Sequence, residues 1–271
     1  MTEPSLSTWL ARREAADTRA RSRSLTARLV ESMSSSRRLR ILDLGTGTGS
    51  NIRYLAPRLR TAQHWLAVDK DPRLLAEVAE KSARIAPDLH VDTRALNLGE
   101  MRADEIFDGR DLVTASALLD LVSESWLAWV AANCRRVGAA AFFTLTYNGE
   151  NVCTPRDSRD TEIFALFNQH QLTDKGLGGP AAGPRATTAA LACFDAHGFT
   201  TDRAASNWQL GPGDRDLQVA LIEGWATAAA EMAPDRAADI SAWRQMRVDH
   251  ALRGASTIVV GHDDIVAMPE E

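Results

Sequence analysis

In Asp43-Leu44-Gly45-Thr46-Gly47-Thr48-Gly49 a carboxylate stands two residues ahead of a Gly-x-Gly-x-Gly run. The run follows a short apolar stretch, residues 41–44, broken only by Asp43, and precedes Ile52, Leu55, Ala56 and Leu59 at helical spacing. That order reads as strand, glycine turn, helix. Glycines at such a turn permit positive φ and let a ligand touch the backbone. The N-terminus of the following helix leaves unpaired N–H groups beside that ligand. A carboxylate at Asp43 repels a pyrophosphate and suits a ligand carrying a cationic amine. A second acid, Asp69, ends the apolar run Trp65-Leu66-Ala67-Val68, twenty residues after Gly49. At the end of a second strand a carboxylate can accept from both hydroxyls of a ribose.

These groups need a sheet to position them. Asp71-Pro72 offers an N-cap and a first helical residue, with Leu74, Leu75, Val78 and Ala79 as the apolar face. A third strand is expected over residues 89–95, followed by Asn97-Leu98. A fourth is expected over 111–115, leading into 116–122 with Ser116 and Asp120. Ser123 suits the N-cap of the next helix, and Gly138 its end. A fifth strand is expected over 139–146, with Tyr147-Asn148-Gly149 as a turn at its carboxyl end. Ligands of open α/β sheets lie outside the carboxyl ends of the strands, so Tyr147 and Asn148 point toward a pocket.

Residues 150–186 read as an insertion with a short helix over 162–167. Asn168-Gln169-His170-Gln171 and the glycine-rich 174–180 then read as a binding loop or lid. His170 is the best candidate there for a general base or substrate ligand. A helix over 187–197, a sixth strand over 199–206, helices over 217–232 and 235–252, and a seventh strand over 257–262 follow. Trp208, Trp225 and Trp243 fit packing of those extra helices better than an aromatic substrate wall. Residues 5–33 read as helical, with a polar middle where the helix can break in two. Arg12, Arg13, Arg19, Arg21, Arg23 and Arg28 lie along it, partly offset by Glu14, Asp17 and Glu31. Such a helix binds anions or, more commonly, presents a solvated face. Ser34-Ser35-Ser36 reads as a turn into the core. The organisation expected is an N-terminal helical segment, 1–36, and one domain, 37–271, with insertions near 150–186 and 208–253.

Forty-five per cent of the 271 residues are hydrophobic, enough for a sizeable core, and the net charge of −5 argues against a dedicated nucleic-acid binder. Three cysteines lie far apart, and the six histidines include no pair at metal-ligand spacing, so no metal is expected. Neither a signal-peptide h-region in Met-Thr-Glu-Pro-Ser-Leu-Ser nor a membrane-length apolar run is present, and a cytoplasmic location is expected.

At its glycine loop the sequence resembles the class I S-adenosylmethionine-dependent methyltransferases. Their motif I, Asp/Glu-x-Gly-x-Gly-x-Gly, is matched by Asp43, Gly45, Gly47 and Gly49, and their acidic second-strand residue by Asp69. The resemblance covers residues 38–147 well and the remainder loosely. It implies an α/β fold, a doubly wound, mostly parallel seven-stranded Rossmann-like sheet with a reversed seventh strand. The hairpin of strands six and seven would here carry about fifty inserted residues. It implies S-adenosylmethionine as cofactor and S-adenosylhomocysteine as product. Asp43 would meet the methionine amine through water or the loop backbone. Gly45, Thr46, Gly47 and Gly49 would admit the cofactor, Asp69 with Lys70 would hold the ribose, Asn97 and Leu98 would frame the adenine, and Ser116 would lie close by. No Asn/Asp-Pro-Pro-Tyr/Phe follows the fourth strand, which disfavours base amines and glutamine amides as acceptors. The expected function is O- or N-methylation of a small molecule, with Asp120 and His170 catalytic and Tyr147, Asn148 and Gln171 binding substrate. Two alternatives stand beside it: an RNA or protein methyltransferase using the arginine-rich helix, and a non-catalytic cofactor-binding partner subunit. The glycine spacing and Asp43 disfavour a nicotinamide-dependent oxidoreductase. No membrane partner is expected, and a homodimer is left open.

Overall fold

The computed structural model describes residues 5–34, 38–82, 85 and 89–270. Two helices come first, α1 (Leu6–Ala20) and α2 (Arg23–Ser32), split at the polar middle of the arginine-rich stretch. Ser5 and Ser22 cap them by accepting from Thr8 N and Leu25 N. Of the serine turn, Ser35 and Ser36 lie outside the described residues.

The first half then alternates strand and helix. It runs β1 (Arg38–Leu44), α3 (Ser50–Leu55), β2 (Ala62–Asp69), α4 (Pro72–Ser82), β3 (Leu89–Ala95), β4 (Leu112–Ser116), α5 (Glu124–Val137) and β5 (Ala140–Thr154). These five strands pair in parallel in the order β3-β2-β1-β4-β5. β1, buried at both faces from Ile41 to Leu44, is the centre of these five strands. The run of apolar side chains there is what a parallel strand covered on both sides requires. α5 starts at Ser123, which accepts from Trp126 N, and stops at Gly138 in the left-handed region.

The second half is α6 (Asp160–Gln171), α7 (Ala186–Ala196), β6 (Phe199–Ala205), β7 (Trp208–Leu210), α8 (Arg215–Met232), α9 (Ala237–Leu252) and β8 (Thr257–Pro269). β8 is reversed. It lies antiparallel between β5 and β6, completing the order β3-β2-β1-β4-β5-β8-β6. The sheet has eight strands rather than seven, because short β7 also pairs with β8.

β5 corrects the reading of residues 147–154. Tyr147-Asn148-Gly149 does not end the strand. Two register shifts, at 143/146 and 147/151, absorb the irregular residues, and 151–154 pair again with β8. Asp264 holds the first irregularity by accepting from Leu145 N at 2.8 Å. The long β5–β8 ribbon carries α6, α8 and α9. Trp208, Trp225 and Trp243 are buried in the apolar cluster between them, so all three tryptophans are packing residues. His170, read as part of a loop, sits in the last turn of α6.

Candidate cofactor and acceptor site

Asp43 is fully buried at the carboxyl end of β1. Its Oδ2 accepts from the Thr46 hydroxyl at 2.6 Å and its Oδ1 from Asn51 Nδ2 at 2.7 Å. Burial pushes its carboxyl up to about 6 in spite of those bonds. The carboxylate is therefore spent on fixing the glycine loop. Asn51 extends the network: its Oδ1 accepts from Arg21 Nη1 at 2.9 Å, and Arg21 Nη2 donates to Ser116 Oγ at 2.9 Å. Arg21 is itself buried, with its guanidinium 4.4 Å from the centre of the Tyr54 ring. The joint between α1 and α2 thus ties the glycine loop to the end of β4.

Above this floor lies a cavity of about 280 Å³. The glycine loop and Asp43 form one side. Asp69 and Lys70 follow, then Leu96, Asn97 and Leu98. Asp69 accepts from Gly47 N at 2.9 Å and from Asp71 N at 3.0 Å, which turns its carboxylate toward the loop. Asn97 caps the short turn after β3 by accepting from Gly99 N at 3.1 Å. The opposite wall is Ser116, Ala117, Leu118 and Leu121. Ala117 takes φ +52°, a left-handed conformation rare outside glycine, and is held there by its N–H on Thr144 O at 2.9 Å.

Two segments roof the cavity. From α1 come Leu6, Leu10, Arg13 and Asp17; from the loop after α6 come Lys175 and Leu177. Arg13 and Asp17 pair at 3.0 Å, and Trp208 Nε1 donates to Asp17 at 3.0 Å, anchoring α1 to β7. The other segment is held down by Ser123 N on Leu177 O at 3.1 Å. It lies so close to the turn after β3 that a Cβ on Gly99 would stand 2.2 Å from Gly176 O. Of residues 174–180, Lys175 and Leu177 are the ones that line the cavity.

Gly47 marks the tightest point beneath α1. Its φ is +55°, and a Cβ there would come within 2.9 Å of Leu10 Cδ1. Gly47→Ala is expected to cost about 1–2 kcal/mol through the left-handed backbone alone, and to lower cofactor affinity in calorimetry. Leu10→Ala in the same chain should restore part of that affinity by relieving the contact.

The cofactor-side residues Asp43, Gly45, Thr46, Gly47, Asp69, Lys70, Asn97, Leu98 and Ser116 line this one cavity, and Gly49 stands at φ +81° as the N-cap of α3. The acceptor-side residues are placed differently. Tyr147 is buried, its hydroxyl donating to Asn168 Oδ1 at 2.7 Å, and Asn148 lies along β8 with its Oδ1 accepting from Glu150 N at 3.2 Å. Neither lines the cavity, because β5 continues past them. Gln171 ends α6 and does not line it either. His170 stands behind the wall: its Nε2 meets Glu231 at 3.0 Å, and its carbonyl accepts from Lys175 Nζ at 3.1 Å. It holds the lysine that reaches the cavity. Asp120 is half-buried beside Leu121, which lines the cavity, but does not itself line it. Burial pushes its carboxyl up to about 6, opposed by a hydrogen bond to the Tyr147 backbone and by the charges of Arg13 and Lys175.

Arg13, Asp17, Arg21, Asn51 and Lys175 are site residues the motif reading passed over. The Arg13/Asp17 spacing of four on a helix was the one local signal. The others reach the site only through tertiary packing.

Residues 41–139 match the family model of a methyltransferase domain. No curated protein matches the chain in sequence. Among solved structures the chain is similar to a cyclopropane synthase from Mycobacterium tuberculosis, with 10% identity, a TM-score of 0.50, and 90% of this chain and 83% of that one covered. It is also similar to a precorrin-6y C5,15-methyltransferase from Geobacter metallireducens, at 12% identity and a TM-score of 0.45, covering 91% and 87%. A third similarity is to a phosphoethanolamine N-methyltransferase from Haemonchus contortus, at 12% identity and a TM-score of 0.44, covering 92% of this chain and 53% of that one. The sheet order, the glycine motif and the domain match agree. Residues 41–139 thus carry a methyltransferase domain, and its sheet order and glycine motif support the resemblance to the class I S-adenosylmethionine-dependent methyltransferases.

The residues present fit that cofactor. The loop offers bare backbone at Gly45 and Gly47, and Asp69 faces the same cavity with its carboxylate fixed by backbone N–H groups. Leu74, Leu96 and Leu98 supply apolar surface for a flat ring, and Asp69 supplies negative charge for a cationic ligand. No described helix is long and apolar enough to cross a membrane.

Proposed function

We propose that the enzyme methylates an oxygen or nitrogen of a small-molecule acceptor. The observation that carries this reading is the roof: α1 with Lys175 and Leu177 covers the glycine-loop cavity, which leaves no open face there for a macromolecule. The use of the N-terminal arginines supports the same reading. Arg13 is paired with Asp17, Arg19 with Asp214 and Arg28 with Asp202, and Arg21 is buried. A helix whose cations are mostly engaged within its own chain is a poor platform for a polyanion.

When bound, S-adenosylmethionine supplies a methyl group on a positively charged sulfur that departs as a neutral thioether. The chain's task is then alignment and exclusion of water. Ser116, Ala117, Leu118 and Leu121 form the wall for the acceptor, with Lys175 and Arg13 opposite. Asp120, next to the lining residue Leu121, is the base we assign, taking the acceptor proton through a water. His170 acts through Lys175, which it positions.

A carboxylate with its pKa raised to about 6 is charged at pH 7 and is lost as a base as the pH falls through that value. Accordingly kcat/KM should fall roughly tenfold per unit below about pH 6. Asp120→Asn should lower kcat and abolish that limb while cofactor binding persists.

The direct test offers methyl-labelled S-adenosylmethionine with a cell extract split into small metabolites, RNA and protein. Label in the small-metabolite fraction is expected. Label entering only RNA or protein would replace this reading with the macromolecular one.

A further inference from the structure

His64 on β2 and His90 on β3 are register partners, and Asp92 follows two residues along β3. In adjacent parallel strands, register partners and i, i+2 residues share a face. All three side chains therefore leave the same face of the sheet, near the amino ends of the strands and away from the glycine loop. His64 Nε2 lies 2.7 Å from Asp92 Oδ2, and His90 Nε2 lies 3.1 Å from Asp92 Oδ1. The imidazole centroids are 4.6 Å apart, and the three ligand atoms fall within 4.8 Å of one another. Among the described residues no other group of three such side chains converges in this way.

We infer that His64, His90 and Asp92 form a binding site for a divalent transition-metal ion, zinc in the first instance. Two imidazoles and one carboxylate are a donor set that borderline cations favour over magnesium or calcium. Zinc bound at about 2.0–2.2 Å in tetrahedral geometry needs donors roughly 3.3 Å apart. The observed separations reach that value by small movements of half-exposed side chains. Without metal each Nε2 faces a carboxylate oxygen of Asp92. A cation at the meeting point binds each Nε2, and both rings then take the Nδ1–H tautomer. Three protein ligands leave a fourth position for water. Arg94, the next residue on this face of β3, is paired with Glu105 at 2.7 Å, and Arg110 interacts with Asp111 as well as Asp92. The ion would tie the edge strand β3 to β2. β2 ends at Asp69, and Asn97 lies just beyond the end of β3.

The histidines stand 26 positions apart in sequence, which is why spacing alone gave no metal site. The test uses the full chain, stripped with a chelator and titrated calorimetrically with zinc chloride in a non-coordinating buffer. His64→Ala, His90→Ala and Asp92→Asn are titrated in parallel. One equivalent binding in the micromolar range is expected. Either histidine variant should lose affinity at least tenfold, Asp92→Asn should lose several-fold, and the rise in Tm with zinc should disappear in the histidine variants. Unchanged S-adenosylmethionine binding in the variants will show that they are folded. No zinc binding by the natural chain would overturn the site, as would binding that both histidine variants retain.

Discussion

Asp69→Ala is expected to weaken S-adenosylmethionine binding by roughly ten- to a few-hundred-fold while the chain stays folded. The carboxylate does two things at once. It orders the loop by accepting from Gly47 N at 2.9 Å and from Asp71 N at 3.0 Å, and it faces the cavity where the ribose hydroxyls would lie. Hydrogen bonds to a charged group contribute about 1.5–3 kcal/mol each, and each 1.4 kcal/mol is about tenfold in affinity. Asp69 is only half-buried, and β2 is secured on both sides by its pairing with β1 and β3, so the loss should appear in binding rather than in Tm. Asp69→Asn keeps one acceptor for Gly47 N without the charge and should fall between the two. Unchanged affinity in Asp69→Ala would mean that the ribose lies elsewhere.

The largest effect on stability is expected from Arg247→Ala. Arg247 on α9 is fully buried and its guanidinium embraces Asp160 at the start of α6. Its Nη1 donates to Pro155 O at 2.6 Å, and Trp243 Nε1 donates to Asp160 at 2.9 Å. Removing the arginine leaves a carboxylate with little water and only the N–H groups of Trp243 and Asp157 as partners. Breaking such a pair from one side costs about 3–5 kcal/mol, which corresponds to roughly 6–20 °C in Tm for a chain of this size. The double change Arg247→Met with Asp160→Leu should cost much less, because no charge is stranded. A similar Tm for the single and double variants would show that the pair does not hold α6 to α9.

What the sequence made legible follows from where local chemistry and fold coincide. The glycine loop, Asp43 and Asp69 were readable because a tight strand-to-helix turn needs glycine, and because an acid ending an apolar run stands out. The caps at Ser123 and Gly138 were readable for the same local reason. β5 was not. Tyr147-Asn148-Gly149 has turn composition, and its extended course depends on β8, more than a hundred residues away, which re-pairs with residues 151–154. Arg21 was equally hidden. An arginine on a polar helix reads as solvated until Asn51 and Ser116 are seen to close on it. The acceptor side suffered most from this. Tyr147 and Asn148 were placed at a strand end that does not exist, and Lys175 was passed over in favour of His170, the residue that holds it.

The measurement that bears most directly on the central claim is calorimetric titration of the purified chain with S-adenosylmethionine, S-adenosylhomocysteine and NAD in parallel. Micromolar binding of the first two and none of NAD is the predicted result. Binding of NAD alone would contradict the assignment of the cavity and, with it, the methyl transfer built upon it.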